Sequence, residues 1–295
     1  MVMATTIHSA LQQFRSNLEI TDLQETTVST RQQSVRAAVA RDLAVLDSFL
    51  TGSYSRNTLI APLKDADIDI FVILDPQYYW HYNGQNGGQR GLLDLVKSVL
   101  RKTYPSTPDI SRNGQAVTIR FTDFDVDVVP GFNREGGGYL IPNTIGQTWI
   151  ETDPKKHVVI MADSNRWHEG NLVPLVKMLK GWNRSKGSFF QSFHLEVMAL
   201  YVLTNVRISD FPSGLRYVFD KCREYVTQKN LDPAGYGGDV ASYINTQVKI
   251  KEAANRFQAA LEKALQAEDH ARRGYVTSAF DAWRALLGDY FPAYG

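Results

Sequence analysis

The stretch that most restricts the fold is Asp65-Ala66-Asp67-Ile68-Asp69, which runs directly into Ile70-Phe71-Val72-Ile73-Leu74. The apolar half is hydrophobic at every position and rich in β-branched residues, the composition of a central strand covered on both faces, and it predicts a strand over 68–74. Side chains at i and i+2 of a strand share a face. Asp67 and Asp69 therefore project side by side, and Asp65 joins them if the strand begins early enough. Like charges at the mouth of a buried strand repel and resist desolvation, so the arrangement needs a compensating cation or carboxyls with raised pKa values. A few carboxylates, with water and substrate phosphates completing the shell, are what Mg²⁺ prefers. A solvated acidic strand start is the bland alternative for Asp-x-Asp taken alone.

A second acidic pair, Asp125 and Asp127 in Phe124-Asp125-Val126-Asp127-Val128-Val129-Pro130, repeats the pattern on another predicted strand, which Pro130 should end. Paired strands lie ~4.8 Å apart, so a carboxylate from the second strand can complete a site for two ions ~3.5–4 Å apart. That arrangement suits in-line phosphoryl or nucleotidyl transfer. Asp127, nearer the end of its strand, is favoured as third ligand, with Asp125 outside the ligand set or solvated. Gly52-Ser53, a turn just before the acidic strand, lets backbone N–H groups approach phosphate oxygens and adds a hydroxyl donor. It matches neither the Gly-x-x-x-x-Gly-Lys-[Ser/Thr] phosphate loop nor the Gly-x-Gly-x-x-Gly dinucleotide turn, which argues against ATPase and dehydrogenase readings.

The rest of the chain frames these motifs. Val35, Ala38, Val39, Leu43, Leu46 and Leu50 recur at spacings of three and four and predict a helix over 30–50. A loop over 83–91, a helix over 92–101 stopped by Pro105 and Pro108, and strands over 116–121 and 124–129 follow. Beyond the glycines at 136–138 strand signals cease, and from Asp153 the texture is helical, with segments at 172–182, 193–206, 215–227, 240–267 and 277–287. The simplest division is an α/β lobe over 1–150 and a helical lobe over 151–295. With 32 Lys and Arg against 31 Asp and Glu, a formal charge of +1 provides no global field to coat a nucleic acid or an anionic membrane. A single cysteine, Cys222, reads as a core residue and excludes a Cys-rich zinc site. His157, His168 and His194 lack ligand spacing and read as core or surface residues. Tyr54, Tyr78, Tyr79 and Trp80 are large aromatics that can stack on a base but are more often core. With no apolar run long enough for a membrane span and polar residues where a signal peptide needs apolar ones, the expected compartment is the cytoplasm.

Together the motifs resemble the DNA polymerase β-like nucleotidyltransferase superfamily, and within it the bacterial cyclic GMP-AMP synthase/DncV-like (CD-NTase) family. The resemblance covers about 45–200. It rests on Gly52-Ser53-Tyr54-Ser55-Arg56-Asn57-Thr58, the Asp65–Asp69 stretch, Asp127-Val128-Val129-Pro130, Trp149-Ile150-Glu151-Thr152-Asp153-Pro154, Leu179-Lys180-Gly181-Trp182-Asn183 and Ser192-Phe193-His194-Leu195-Glu196. It implies an α+β fold, a mixed sheet flanked by helices and packed on a C-terminal helical lobe. The implied activity is a metal-dependent enzyme, using Mg²⁺ or Mn²⁺, that joins ATP and/or GTP into a cyclic di- or trinucleotide messenger of antiphage (CBASS) signalling with release of pyrophosphate. It further implies Asp67, Asp69 and Asp127 as the catalytic, metal-holding triad, with Asp127 nearest the attacking hydroxyl, and Gly52, Ser53, Lys180 and Ser192 as nucleotide-binding residues. Lys177, three residues before Lys180, can share its face. A downstream effector would answer to the product, and a ubiquitin-transfer-like partner would act on Gly295, in a tail expected to be exposed. No zinc thumb is compatible with one cysteine, so no DNA activator is expected. Two alternatives stay open: a same-fold enzyme making linear oligonucleotides or modifying an RNA or small-molecule acceptor, and a non-enzymatic binding module.

Overall fold

The structure is a computed structural model and describes residues 4–107 and 109–295, so the expected helix stop at Pro108 lies outside the described residues. Along the chain run α1 (Ile7–Asn17), α2 (Asp22–Asp42), β1 (Val45–Thr51), α3 (Gly52–Ser55), β2 (Asp67–Leu74), α4 (Pro76–Asn83), α5 (Gly88–Thr103), β3 (Ile110–Asn113), β4 (Ala116–Arg120), β5 (Asp125–Asn133), β6 (Tyr139–Asn143) and β7 (Thr148–Thr152). The helices α6 (Pro154–Trp167), α7 (Leu172–Ser185), α8 (Ser192–Val202), α9 (Phe211–Tyr225), α10 (Gln247–Arg272) and α11 (Val276–Leu287) follow. Two compact units result, one of residues 20–158 and one of residues 1–19 with 159–295. The division thus differs from 1–150 and 151–295. The chain before residue 20 belongs to the helical unit because Ala10, Leu11 and Phe14 on one face of α1 are buried against α7, α9 and α11.

The unit over 20–158 is built on a mixed sheet in the order β1-β2-β5-β4-β3, with β6 pairing the far end of β5 and β7 pairing β6. Only β2 and β5 run parallel; the other pairs are antiparallel. Strand alternation divides the sheet into two faces. Ile68, Ile70, Val72 and Leu74 of β2, Val126 and Val128 of β5, and Val117 and Ile119 of β4 join the main core with Val28, Val35 and Val39 of α2 and Leu92, Val96 and Leu100 of α5. On the opposite face Phe71 and Ile73 of β2 make a smaller cluster with Tyr139, Ile141 and Phe49. Asp67 and Asp69 precede Phe71 on that second face.

Three expectations change here. The leucines at 43, 46 and 50 fit a helical spacing, but α2 ends at Asp42 and Val45–Thr51 is a strand, because antiparallel pairing with β2 outweighs local periodicity. β5 does not stop at Pro130. That residue lies past the last β4 pair at Val128 and before the first β6 pair at Phe132, where a missing N–H is tolerated. Strands also continue after the glycine loop, as the β6–β7 hairpin.

In the helical unit Cys222 is fully buried, as its core reading requires. His194 is buried too, and its Nε2–H donates to Asn230 Oδ1 (2.9 Å) while Nδ1 accepts from the Tyr243 hydroxyl (2.8 Å). The tail is less exposed than expected. Phe291 is completely buried against Phe14 and Phe280, Asn17 Nδ2 donates to the Tyr290 carbonyl (2.8 Å), and only residues 293–295 are exposed.

Candidate active site

The acidic site begins with the parallel pairing of β2 and β5, whose register places Asp67 opposite Asp125 and Asp69 opposite Asp127. Two segments far apart in sequence thereby present four carboxylates on one face of the sheet. Asp65 does not join them, since it sits in the single 3-10 turn Leu63–Asp65 and the strand starts only at Asp67.

Burial and crowding govern the electrostatics. The Asp69 carboxyl is pushed up to about 7, first by burial and then by Asp127 and Asp67, with Arg56 pulling the other way. Asp67 is raised by burial and by Asp127 and Asp125, against Arg120. Asp127 is raised by burial and Asp125, opposed by the hydrogen bond from Thr118 and by the Arg120 charge. Asp125 is set apart by Arg120, its register partner on β4, whose Nε lies 3.5 Å from Asp125 Oδ2.

The turn between β1 and β2 closes the site from another side. Thr51 pairs with Asp69 across the β1–β2 ladder, and Gly52 follows it with φ +67°. A Cβ on Gly52 would run into the Asp69 carboxylate, so only glycine permits this approach. The next turn is fixed by its own backbone: the Ser53 carbonyl accepts from Thr58 N (2.8 Å) and Leu59 N (3.1 Å). Gly52, Ser53, Asp67, Asp69 and Asp127 are thus brought together in the sheet unit.

Lys180 and Ser192 lie in the helical unit. The Lys180 side chain is 4% exposed and its Nζ donates to Oε1 of the fully buried Glu196 (2.7 Å), while Lys177 Nζ pairs with Glu19 (2.5 Å). Ser192 is exposed in the first turn of α8, four residues before Glu196, so the two share a helix face. Glu196 carries no local spacing signal, because its partner is on another helix. Thr118 and Arg120 were also missed, although the alternation Val117-Thr118-Ile119-Arg120 shows which face they take. Of the aromatics, Tyr54, Tyr78 and Tyr79 pack against the main core, and Trp80 is 72% exposed.

Among the described residues no three His, Cys, Asp or Glu side chains converge tightly enough to cage a metal ion unaided. The donor chemistry nevertheless fits a hard divalent cation, which is commonly held by one or two carboxylates plus substrate phosphates instead of an all-protein cage. Burial first and neighbouring carboxylates second raise the carboxyls of Asp67, Asp69 and Asp127, and a bound cation would favour their ionised forms.

Comparison with known proteins decides the family. Residues 5–165 match the Second Messenger Oligonucleotide or Dinucleotide Synthetase domain. The chain belongs to this family. It is a nucleotidyltransferase, and the family's products are cyclic oligonucleotide second messengers. A cyclic AMP-AMP-AMP synthase of an Acinetobacter sp. is 27% identical over 262 residues, 83% of this chain and 72% of the relative. Among solved structures, Escherichia coli MS115-1 CdnC with ATP has a TM-score of 0.73 at 18% identity, covering 97% of this chain and 99% of its own. Vibrio cholerae DncV cyclic AMP-GMP synthase has a TM-score of 0.76 at 12% identity, covering 99% and 97%. At these identities the structural likeness speaks for the fold, the α+β nucleotidyltransferase architecture expected from the motifs. Among the described residues no helix is long and apolar enough to cross a membrane.

Proposed function

We propose that this chain condenses ATP and/or GTP into a cyclic di- or trinucleotide of CBASS signalling, with release of pyrophosphate, at the carboxylate face formed by β2 and β5. The observation that carries the reading is the register pairing of Asp69 with Asp127 beside the close-approach turn at Gly52. Asp67, Asp69 and Asp127 would hold Mg²⁺ or Mn²⁺, which when bound supplies charge stabilisation to the transferring phosphoryl group and lowers the pKa of the attacking hydroxyl. Asp127 takes the place nearest that hydroxyl. Gly52 and Ser53 present backbone and hydroxyl donors to phosphate oxygens. We also assign nucleotide binding to two residues of the helical unit, Ser192 through its exposed hydroxyl and Lys180, whose ammonium is held by Glu196. The exposed Gly295 would be the residue for a ubiquitin-transfer-like partner, and an effector would respond to the product.

The test is incubation of the purified protein with single and mixed NTPs and Mg²⁺ or Mn²⁺, then phosphatase treatment and mass spectrometry. A cyclic product survives phosphatase because it has no terminal phosphate. Products that are all phosphatase-sensitive would instead identify an enzyme making linear chains or modifying another acceptor.

A further inference from the structure

None of the sequence motifs falls on β4, yet β4 lies directly against β5 at the acidic face. Its Val117 and Ile119 enter the main core, so strand alternation turns Thr118 and Arg120 to the other side, opposite Asp127 and Asp125. Thr118 is 3% exposed, and its Oγ1 donates to Asp127 Oδ1 over 2.5 Å. That distance belongs to a short, charge-assisted hydrogen bond. A β-branched side chain is stiff at χ1, and here its backbone is locked in register with the residue it serves. A carboxylate, by contrast, turns easily about χ2, and Asp127 has the like charges of Asp67, Asp69 and Asp125 around it.

We propose that Thr118 is a positioning residue for nucleotidyl transfer: its hydroxyl occupies Oδ1 of Asp127, fixes the carboxylate plane and leaves Oδ2 as the oxygen available to the ion and the attacking hydroxyl. This rests on the reading of Asp127 given above. Arg120, beside Asp125 at 3.5 Å, is also paired with Asp109. A β-branched apolar residue would suit the strand as well, so the hydroxyl needs the site to explain it.

Thr118→Val keeps the branching and removes the donor. Steady-state kinetics with a Mg²⁺ or Mn²⁺ titration should show kcat lowered, or the half-saturating metal concentration raised, by roughly 10–100-fold, with KM for the nucleotide little changed. Thr118→Ser, which retains the hydroxyl, should recover most of the loss. Thr118→Ala serves as the second donor-free probe if the valine variant does not fold, and thermal melts identify the folded variants. Wild-type kcat and metal response in a folded donor-free variant would overturn the proposal, as would a serine variant no better than valine. Asp127→Asn in the same assay separates the two levels. An inactive Asp127→Asn beside a fully active Thr118→Val removes only the role of Thr118, whereas a fully active Asp127→Asn removes the reading on which it rests.

Discussion

Two groups of charge in this molecule, one half-buried on the sheet and one fully buried between helices, are built on opposite principles. On the β2–β5 face, Asp67, Asp69 and Asp127 crowd together, and all three are held above the ordinary carboxylate range. Between α7 and α8, Lys180 and Glu196 neutralise each other at 2.7 Å in the interior. The helical pair is electrostatically complete. The sheet cluster is not, since Arg56 and Arg120 offset only part of its negative charge. Incomplete charge costs stability and persists where a ligand is to be bound, which is what the proposed site requires.

The largest expected effect tests the incomplete cluster. Asp67→Asn or Asp127→Asn should reduce product formation by roughly 10³-fold while the protein stays folded, because the several kcal/mol of charge stabilisation at the phosphoryl group are lost. Product assays paired with circular dichroism check this, and undiminished activity in a folded variant would dissolve the contrast. In the complete pair the response should be inverted. Lys180→Met should lower unfolding stability by about 3–5 kcal/mol in denaturant titrations without nucleotide, since a buried carboxylate loses its partner, and adding Glu196→Leu should restore most of it. If Lys180→Met leaves stability intact, the ion pair is not structural.

A smaller effect is expected at the turn. Gly52→Ala imposes about 1–2 kcal/mol of left-handed strain and drives a methyl group into Asp69, so both the melting temperature and kcat should fall. The last effect concerns pH. With a folded pKa of about 7 against 3.8 for the free carboxyl, Asp69 binds more protons in the native than in the unfolded state between those values. Its contribution to the stability of the ion-free protein is therefore fully present below pH 3.8 and lost as pH rises through 7. Melting curves in EDTA should show Asp69→Asn more stable than wild type at pH 8, a difference that vanishes at low pH. Added Mg²⁺ should stabilise wild type more at pH 8 than at pH 6, because ion binding needs the deprotonated acid. Equal Mg²⁺ stabilisation at both pH values would count against Asp69 as a ligand.

Much of the acidic face is legible in the chain. The period-two aspartates announce which side chains share a face, and the run Ile70–Leu74 announces a central strand; the structure pairs Asp67 and Asp69 with Asp125 and Asp127 as that pattern allows. What stays hidden depends on long-range pairing. Leu43, Leu46 and Leu50 satisfy a helical period by coincidence, and only the partner strand reveals Val45–Thr51 as β1. Tyr139–Asn143 contains a proline and Thr148–Thr152 is short, so neither strand of that hairpin carries a strong local signal. The burial of Lys180 follows from Glu196 on a different helix, and the service of Thr118 to Asp127 follows from a strand register. Neither pair falls at the i, i+2 spacing of a strand face or the i, i+3 and i, i+4 spacings of a helix face.

The two-sided character of β2 has a consequence for assembly. Its side chains alternate between Ile68, Ile70 and Val72, which meet α2 and α5, and Asp67 and Asp69, which do not. A slip of one residue against β5 would drive ionised carboxylates among Val96 and Leu100 and turn isoleucines outward. Parallel strands so far apart along the chain are slow to find each other and open to misalignment. Here the acids make every shift by an odd number of residues intolerable, so the same groups that weaken the finished protein guard the accuracy with which it is put together.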